Sequence, residues 1–225
     1  MLSGKEGSMF YNPTALWMDI NSKDDAACQA YGAMASALQE AGRGDEVPNR
    51  SVSIYVFKDF VKQDHTVYDD YSDQFAKYNE SFQEMQWEVV ADSTKTILGY
   101  ECLMATTAYH GREWTAWFTP EIPVQAGPWK LAGLPGLILE ADADNGAYSF
   151  VATGIQNTRR PIVPVYLAEH YEKITRKDFL KSKRSFLDNP LGQINAKYGI
   201  SGVVVNGDVK FADASVIDLI ETDYH

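Results

Sequence analysis

Cysteine is nearly absent from this 225-residue chain, which has only Cys28 and Cys102. So few cannot staple a small scaffold, and the fold must rest on an apolar core. Histidine is scarce as well: His65, His110, His170 and His225 show no metal-ligand spacing. No run approaches the ~18 apolar residues needed to span a bilayer. The opening Met1-Leu2-Ser3-Gly4-Lys5-Glu6 has no apolar stretch of the kind a signal peptide carries. Neither a Gly-x-Gly-x-x-Gly nor a Gly-Lys-Ser/Thr occurs, and no Gly-x-Ser-x-Gly, which removes common nucleotide cradles and the esterase elbow. Positive charge is in deficit, with 20 Lys plus Arg against 31 Asp plus Glu and a net charge of −11. That balance argues against nucleic acid or anionic membrane as a broad partner and favours solubility.

What is present is a β-rich pattern. Hydrophobic residues make up 45% of the chain, ordinary for a globular protein. Val52, Ile54 and Val56 alternate with Ser53, Tyr55 and Phe57, the period of a strand. Further strands are predicted over 65–68, 74–78, 83–90, 97–109 and 113–119. Asp144-Asn145-Gly146 reads as a hairpin turn between strands 137–141 and 147–153, and 203–211 reads as a second tight hairpin. Ala27, Tyr31, Met34 and Leu38 recur at helical spacing over 23–41, with Ser22 and Asp25 resembling a capping box. Thr175 and Asp178 form another, and Asn189-Pro190 ends that helix near 188. Residues 214–222 read as a strand or a short helix. The expected class is α+β, mainly antiparallel β: a curved sheet or bowl-like half-barrel with two or three helices packed on it. Residues 1–225 read as one domain, with 190–225 a C-terminal extension of the sheet.

The most informative run is Gly133-Leu134-Pro135-Gly136-Leu137-Ile138-Leu139-Glu140. Pro135 fixes its own φ and biases Leu134 toward extended backbone, and the glycines permit positive φ or close approach. The run therefore predicts a stiff lead-in that seats a short apolar strand in the core. Upstream stand Trp87-Glu88-Val89, the stretch from Lys95 to Thr106, the stretch from Gly111 to Pro123, and Gly127-Pro128. In this order the motifs resemble the GLPGLI family, cell-envelope proteins of Bacteroidota with no proven activity. The resemblance covers about 80–190. It implies an exported protein (periplasmic, outer-surface or secreted) whose leader is absent from this chain. It also implies kinship with a bowl-shaped, non-catalytic domain at the N-terminus of some secreted glycan-cleaving enzymes. In an exported protein Cys28 and Cys102 could pair, or could bury as small hydrophobes.

The candidate functional residues surround that run. Arg112, at the turn His110-Gly111-Arg112-Glu113, could bind an anion or carboxylate bidentately, or the turn could simply be solvated. Trp114, Trp117 and Trp129 could pack or could line a groove for a sugar, peptide or lipid. On a strand, Trp114 and Phe118 share one face and Trp117 takes the other. Glu121 and Glu140 could act as paired carboxylates if held ~5–9 Å apart. Asp142-Ala143-Asp144-Asn145-Gly146 falls short of a calcium loop, and Asp64, Asp69, Asp70 and Asp73 read as a solvated acidic stretch. No cofactor and no metal are indicated. The leading functional expectation is a non-enzymatic ligand-binding or carrier module, or a docking module, with a lipid, a peptide, a glycan or an envelope protein as partner. The alternatives are a hydrolase acting on envelope glycans or peptides, and a purely structural interaction module.

Overall fold

The computed structural model describes residues 1–48, 53–81, 85–144, 146–162, 165–190, 192–193 and 219–225. Two sheets and three α-helices organise them. The first sheet comprises β1 (Leu2–Ser3), β2 (Gly7–Phe10), β3 (Tyr55–Asp59), β4 (Asp64–Tyr71) and β5 (Gln74–Ser81), with β11 (Glu172–Lys173) at its far edge. The second comprises β6 (Glu88–Ile97), β7 (Tyr100–Tyr109), β8 (Arg112–Thr119), β9 (Leu137–Ala143) and β10 (Tyr148–Val151), in the order β10-β9-β8-β7-β6. All pairings are antiparallel except β11 with β5. Neither sheet closes into a barrel. The α+β, mainly antiparallel class expected from the sequence is the one observed.

Residue parity explains the layering. Val67 on β4 and Ala76 and Tyr78 on β5 point inward, as do Trp114, Ala116 and Phe118 on β8. These inner faces meet in one core, filled by Trp129, Leu131, Ala132 and Leu134 from the long β8–β9 connection. A sheet must have its apolar face covered, and here a second sheet and this connection supply most of that cover, with α3 adding Phe179 and Leu180. The outer face of the first sheet has its own small core of Met9, Tyr55, Val165 and Tyr171.

Helix α1 (Pro13–Asn21) covers that outer core through Ala15 and Leu16, and Tyr55 Oη donates to Asp19 at 2.5 Å. The periodicity gave no sign of this helix, yet its start is well marked: Asn12 caps it and Pro13 takes the first position. Helix α2 (Asp25–Glu40) begins at Asp24, whose carboxylate accepts from Ala26 N and Ala27 N, while Ser22 closes α1. Helix α3 (Arg176–Asp188) begins at Thr175 with Asp178, as its capping box predicts. It packs Phe179 on Tyr71 and Tyr78.

The predicted strand 97–109 starts later, at Tyr100, because Leu98 and Gly99 both take positive φ and turn the chain between β6 and β7. The Asp144–Gly146 hairpin is present, with Asn145 outside the described residues. The predicted hairpin at 203–211 and residues 214–218 also lie outside them. Cys28 is exposed on α2 and Cys102 buried on β7, both as free thiols. No helix among the described residues is long and apolar enough to cross a membrane.

Candidate functional site

The chemistry-bearing groups of this protein converge where the two sheets, the β8–β9 connection, α3 and the tail 219–225 meet. Glu80 ends the inward row of β5 after Ala76 and Tyr78, and Lys130 follows the buried Trp129. Lys130 Nζ is fully buried and paired with both Glu80 and Glu221, the latter at 2.7 Å. Arg176, at the start of α3, contacts Glu80 at 3.1 Å and also binds Glu221 and Asp223. His110 sits in the β7–β8 turn with φ 54, and its Nε2 lies 3.2 Å from Glu80 and 3.8 Å from Glu221. Its Nδ1 lies 3.3 Å from Asp223. Three carboxylates thus meet two permanent cations, and a protonated His110 would bring the group to neutrality.

Burial shapes the electrostatics. It tends to raise the Glu80 carboxyl, but the close approach of His110 and the charge of Lys130 outweigh it and hold the group down at about 2. His65 lies on β4 beside this cluster, with Tyr109 Oη 3.4 Å from its ring. Burial and the nearby Lys130 push His65 down to about 3, so it stays neutral. Lys58 on β3 is buried too, and its ammonium donates to Gly127 O at 2.5 Å and Leu131 O at 2.7 Å. Burial pushes it well below the usual lysine range. It pins the β8–β9 connection from the other sheet.

Glu80, His110 and Glu221 each present a ligand atom within 4.8 Å of the others, the one such trio among the described residues. They are the right donor types for a divalent ion. Lys130 and Arg176 already neutralise both carboxylates, however, and Arg176 Nε contacts the very Glu80 and Glu221 oxygens that lie nearest His110. The arrangement fits an internal ion-pair lock better than a metal centre.

The residues singled out in the sequence are distributed differently. Arg112 is buried, its Nε donating to Ile220 O at 2.8 Å and its guanidinium also to Leu219 O and Asp144, over the ring of Tyr148. The turn that carries it is therefore roofed by the tail. Thr222 N donates to His110 O, and a Cβ on Gly111 would lie 2.2 Å from Thr222 Oγ1. Trp114 and Trp129 stack in the core with centroids 5.4 Å apart, and Trp129 has φ 46. Trp117 faces outward, as parity predicts, with Lys95 over its ring and Lys95 paired to Glu140 at 2.5 Å. Glu121 is exposed and accepts from Glu101 N. Arg112 and Glu121 stand at opposite ends of β8, about 30 Å apart along an extended strand, so they do not form one cleft. Asp144 is held by Arg112 and Glu113 N, and Asp69 is buried against Lys183 at 2.9 Å.

In the 133–140 run, Gly133 takes φ 92, Leu134 and Ile138 are buried, and Pro135 is exposed. Gly136 passes so close to Thr119 that a Cβ would lie 2.1 Å from its carbonyl oxygen. Beyond the run, Leu137 and Leu139 border a cleft of about 620 Å³ between the edge strand β10 and the β1–β2 end of the other sheet.

No curated protein matches this chain. Among solved structures, that of PNGF-II in the P21 space group matches with TM-score 0.52 and 15% identity, over 80% of this chain and 29% of that one. The C2 form of PNGF-II matches with TM-score 0.46 and 15% identity, over 65% and 27%. At that identity the first match shows a shared fold, and the present chain spans about 29% of the solved chain's length. The family model described as the N-glycanase peptide N-terminal domain matches residues 53–183. This match overturns the resemblance to the GLPGLI family, because the residues that carried the resemblance fall inside it. The run that inspired it meets a local need, a glycine where backbone crosses Thr119 and a stiff lead-in to β9, and such a need does not specify a family. The chain belongs to the family of N-glycanase N-terminal domains.

Proposed function

We propose that this protein acts in the cleavage of N-linked glycans as a substrate-holding domain, leaving bond scission to a catalytic part of the kind that a longer N-glycanase carries. The support is the family match together with one observation. Glu80 and Glu221, the carboxylates best placed for acid–base work, are 12% and 2% exposed and are both locked to Lys130 and Arg176. A general acid or base must reach its substrate within hydrogen-bond distance, and these are already engaged by two cations. The glycan-directed reading draws more support than a lipid or peptide carrier. On the outer face of the second sheet, Trp117, flanked by Lys95 and Glu140, offers an aromatic ring with polar neighbours suited to a sugar. Arg112, Trp114 and Trp129 support that sheet from inside. Residues 1–225 then work as one domain, outside the cytoplasm, where N-glycosylated proteins are met.

A second reading makes the domain itself the hydrolase, favoured by the closeness of Glu80, His110 and Glu221. One experiment separates the two. A denatured N-glycoprotein is incubated with the protein and released glycan is measured, and titration calorimetry compares one glycopeptide with its deglycosylated form. The expected result is no release, and about tenfold weaker binding without the glycan, a preference of about 1.4 kcal/mol. Trp117→Ala should lose that preference with unchanged melting. Release that Glu80→Gln abolishes would establish the hydrolase, and equal affinity for both peptides would remove the glycan-directed reading.

A further inference from the structure

The edge of β10 carries a row of unused backbone groups. Ala152 N donates to Leu139 O on β9 at 2.8 Å. In an antiparallel pair, alternate residues turn both N–H and C=O to the same side. Phe150 therefore also faces β9, opposite Ala141, and Ser149, Val151 and Thr153 turn theirs away. Among the described residues nothing lies beyond β10 in its sheet, and no hydrogen bond occupies those groups. All three residues line the cleft of about 620 Å³, a volume typical of binding clefts.

The walls of the cleft narrow the choice of occupant. None of its lining side chains is charged, and burial disfavours the charged form of its one cationic group, the Met1 α-ammonium, so an anionic phosphate or sugar acid finds little counter-charge there. Phe10 meets Phe150 edge-on at 5.9 Å and closes the floor, and the half-exposed Val151 and Ile155 form apolar rims. The free donors and acceptors repeat every second residue, ~6.6–6.8 Å apart, the spacing of a partner strand. A sugar chain has no such repeat.

We infer that this cleft is a binding site for an uncharged polypeptide segment in extended conformation, added as a further strand beside β10. Main-chain hydrogen bonds to Ser149, Val151 and Thr153 provide affinity, and alternate side chains of the peptide enter the apolar cleft. The site is independent of the glycan-directed reading, because it engages the backbone edge of β10, two strands away from Trp117 on β8.

The test uses a fluorescein-labelled, end-capped eight-residue peptide of alternating Thr and Val, and two forms N-methylated at alternate amides in opposite phase. The unmodified peptide should bind, and one methylated phase should lose binding at least tenfold while the other keeps it. Val151→Pro removes an outward N–H without touching the β9 ladder, a position where an edge strand tolerates proline. It should abolish binding with little change in melting, and Val151→Thr should retain it. Hydrogen exchange should slow at Ser149, Val151 and Thr153 on binding. Absence of binding at millimolar peptide overturns the site, as does equal loss for both methylated phases, undiminished binding by Val151→Pro, or peptide-independent dimerisation through β10. Loss of the Trp117→Ala preference alone would bear on the glycan reading and leave this one standing.

Discussion

Lys130 Nζ lies 2.7 Å from Glu221 Oε1, with both side chains almost wholly out of water. This contact ties the β8–β9 connection to the tail across the sheet junction. A buried pair contributes little net stability relative to apolar residues of the same shape, but removing one partner strands the other charge, at about 3–5 kcal/mol. Lys130→Met should therefore destabilise the protein by about that amount in urea unfolding. Adding Glu221→Leu should recover part of the loss, although Glu80 is still left with only one of its two cations, Arg176. An additive double variant would show that the pair is not coupled.

The same cluster fixes the response to acid. His65 has a folded value near 3 against an ordinary 6.5. Between those values the unfolded chain binds the proton and the native protein refuses it, so stability falls as pH falls through that window. Glu80 is depressed from 4.5 to about 2, so its contribution is present above 4.5 and is lost on further acidification. Asp69 is raised by burial and works in the opposite direction, but alone. Melting temperature should therefore decline from pH 7 to 5.5 and drop more steeply below 4.5. His65→Gln should flatten the curve between pH 6.5 and 4.5 and lessen the drop below 4.5, leaving the part due to Glu80. A flat profile from pH 7 to 4.5 in the parent protein would refute the role of His65.

Two glycines separate backbone strain from steric contact. Gly111 (φ 81) would place a Cβ 2.2 Å from Thr222 Oγ1, whereas Gly146 (φ 100) would meet nothing within 4 Å. Alanine at Gly146 should cost only the left-handed penalty, about 1–2 kcal/mol. Alanine at Gly111 should cost more, and should raise hydrogen exchange at 219–224 while the β3–β5 ladder stays protected. Equal losses at the two sites would mean that the tail does not press on this turn.

Elements with local spelling were legible in the sequence. The Thr175–Asp178 box, the Asp144–Gly146 turn and the alternation along β8 each state a backbone requirement within a few residues. The cluster was not legible, because Glu80, His110, Lys130, Arg176 and Glu221 are far apart in sequence and each looks like a solvated surface residue. One signal did point to it. In β5 the inward parity of Ala76 and Tyr78 continues to Glu80, and in β4 that of Val67 includes His65. A charge on the buried parity of a strand demands a partner. Only the three-dimensional crossing of the two sheets identifies that partner. The family was misread for a related reason: the 133–140 run records how β9 is approached past Thr119, and that packing solution is not unique to one lineage.

The two thiols should differ in reactivity. Cys28 sits on the exposed surface of α2, where its thiol reaches only Asn21 O at 3.6 Å. Cys102 is buried on β7, and burial pushes its thiol up. Because the thiolate is the reactive form and needs access, Cys28 should react with a disulfide reagent within minutes at pH 8. Cys102 should react only as the second sheet opens, so its rate should follow urea and rise in Lys130→Met. Counting with that reagent should give one thiol per native chain and two per unfolded chain. Zero in both, restored by reductant, would mean that the cysteines pair, and two fast thiols in the native protein would mean that β7 is not covered as described.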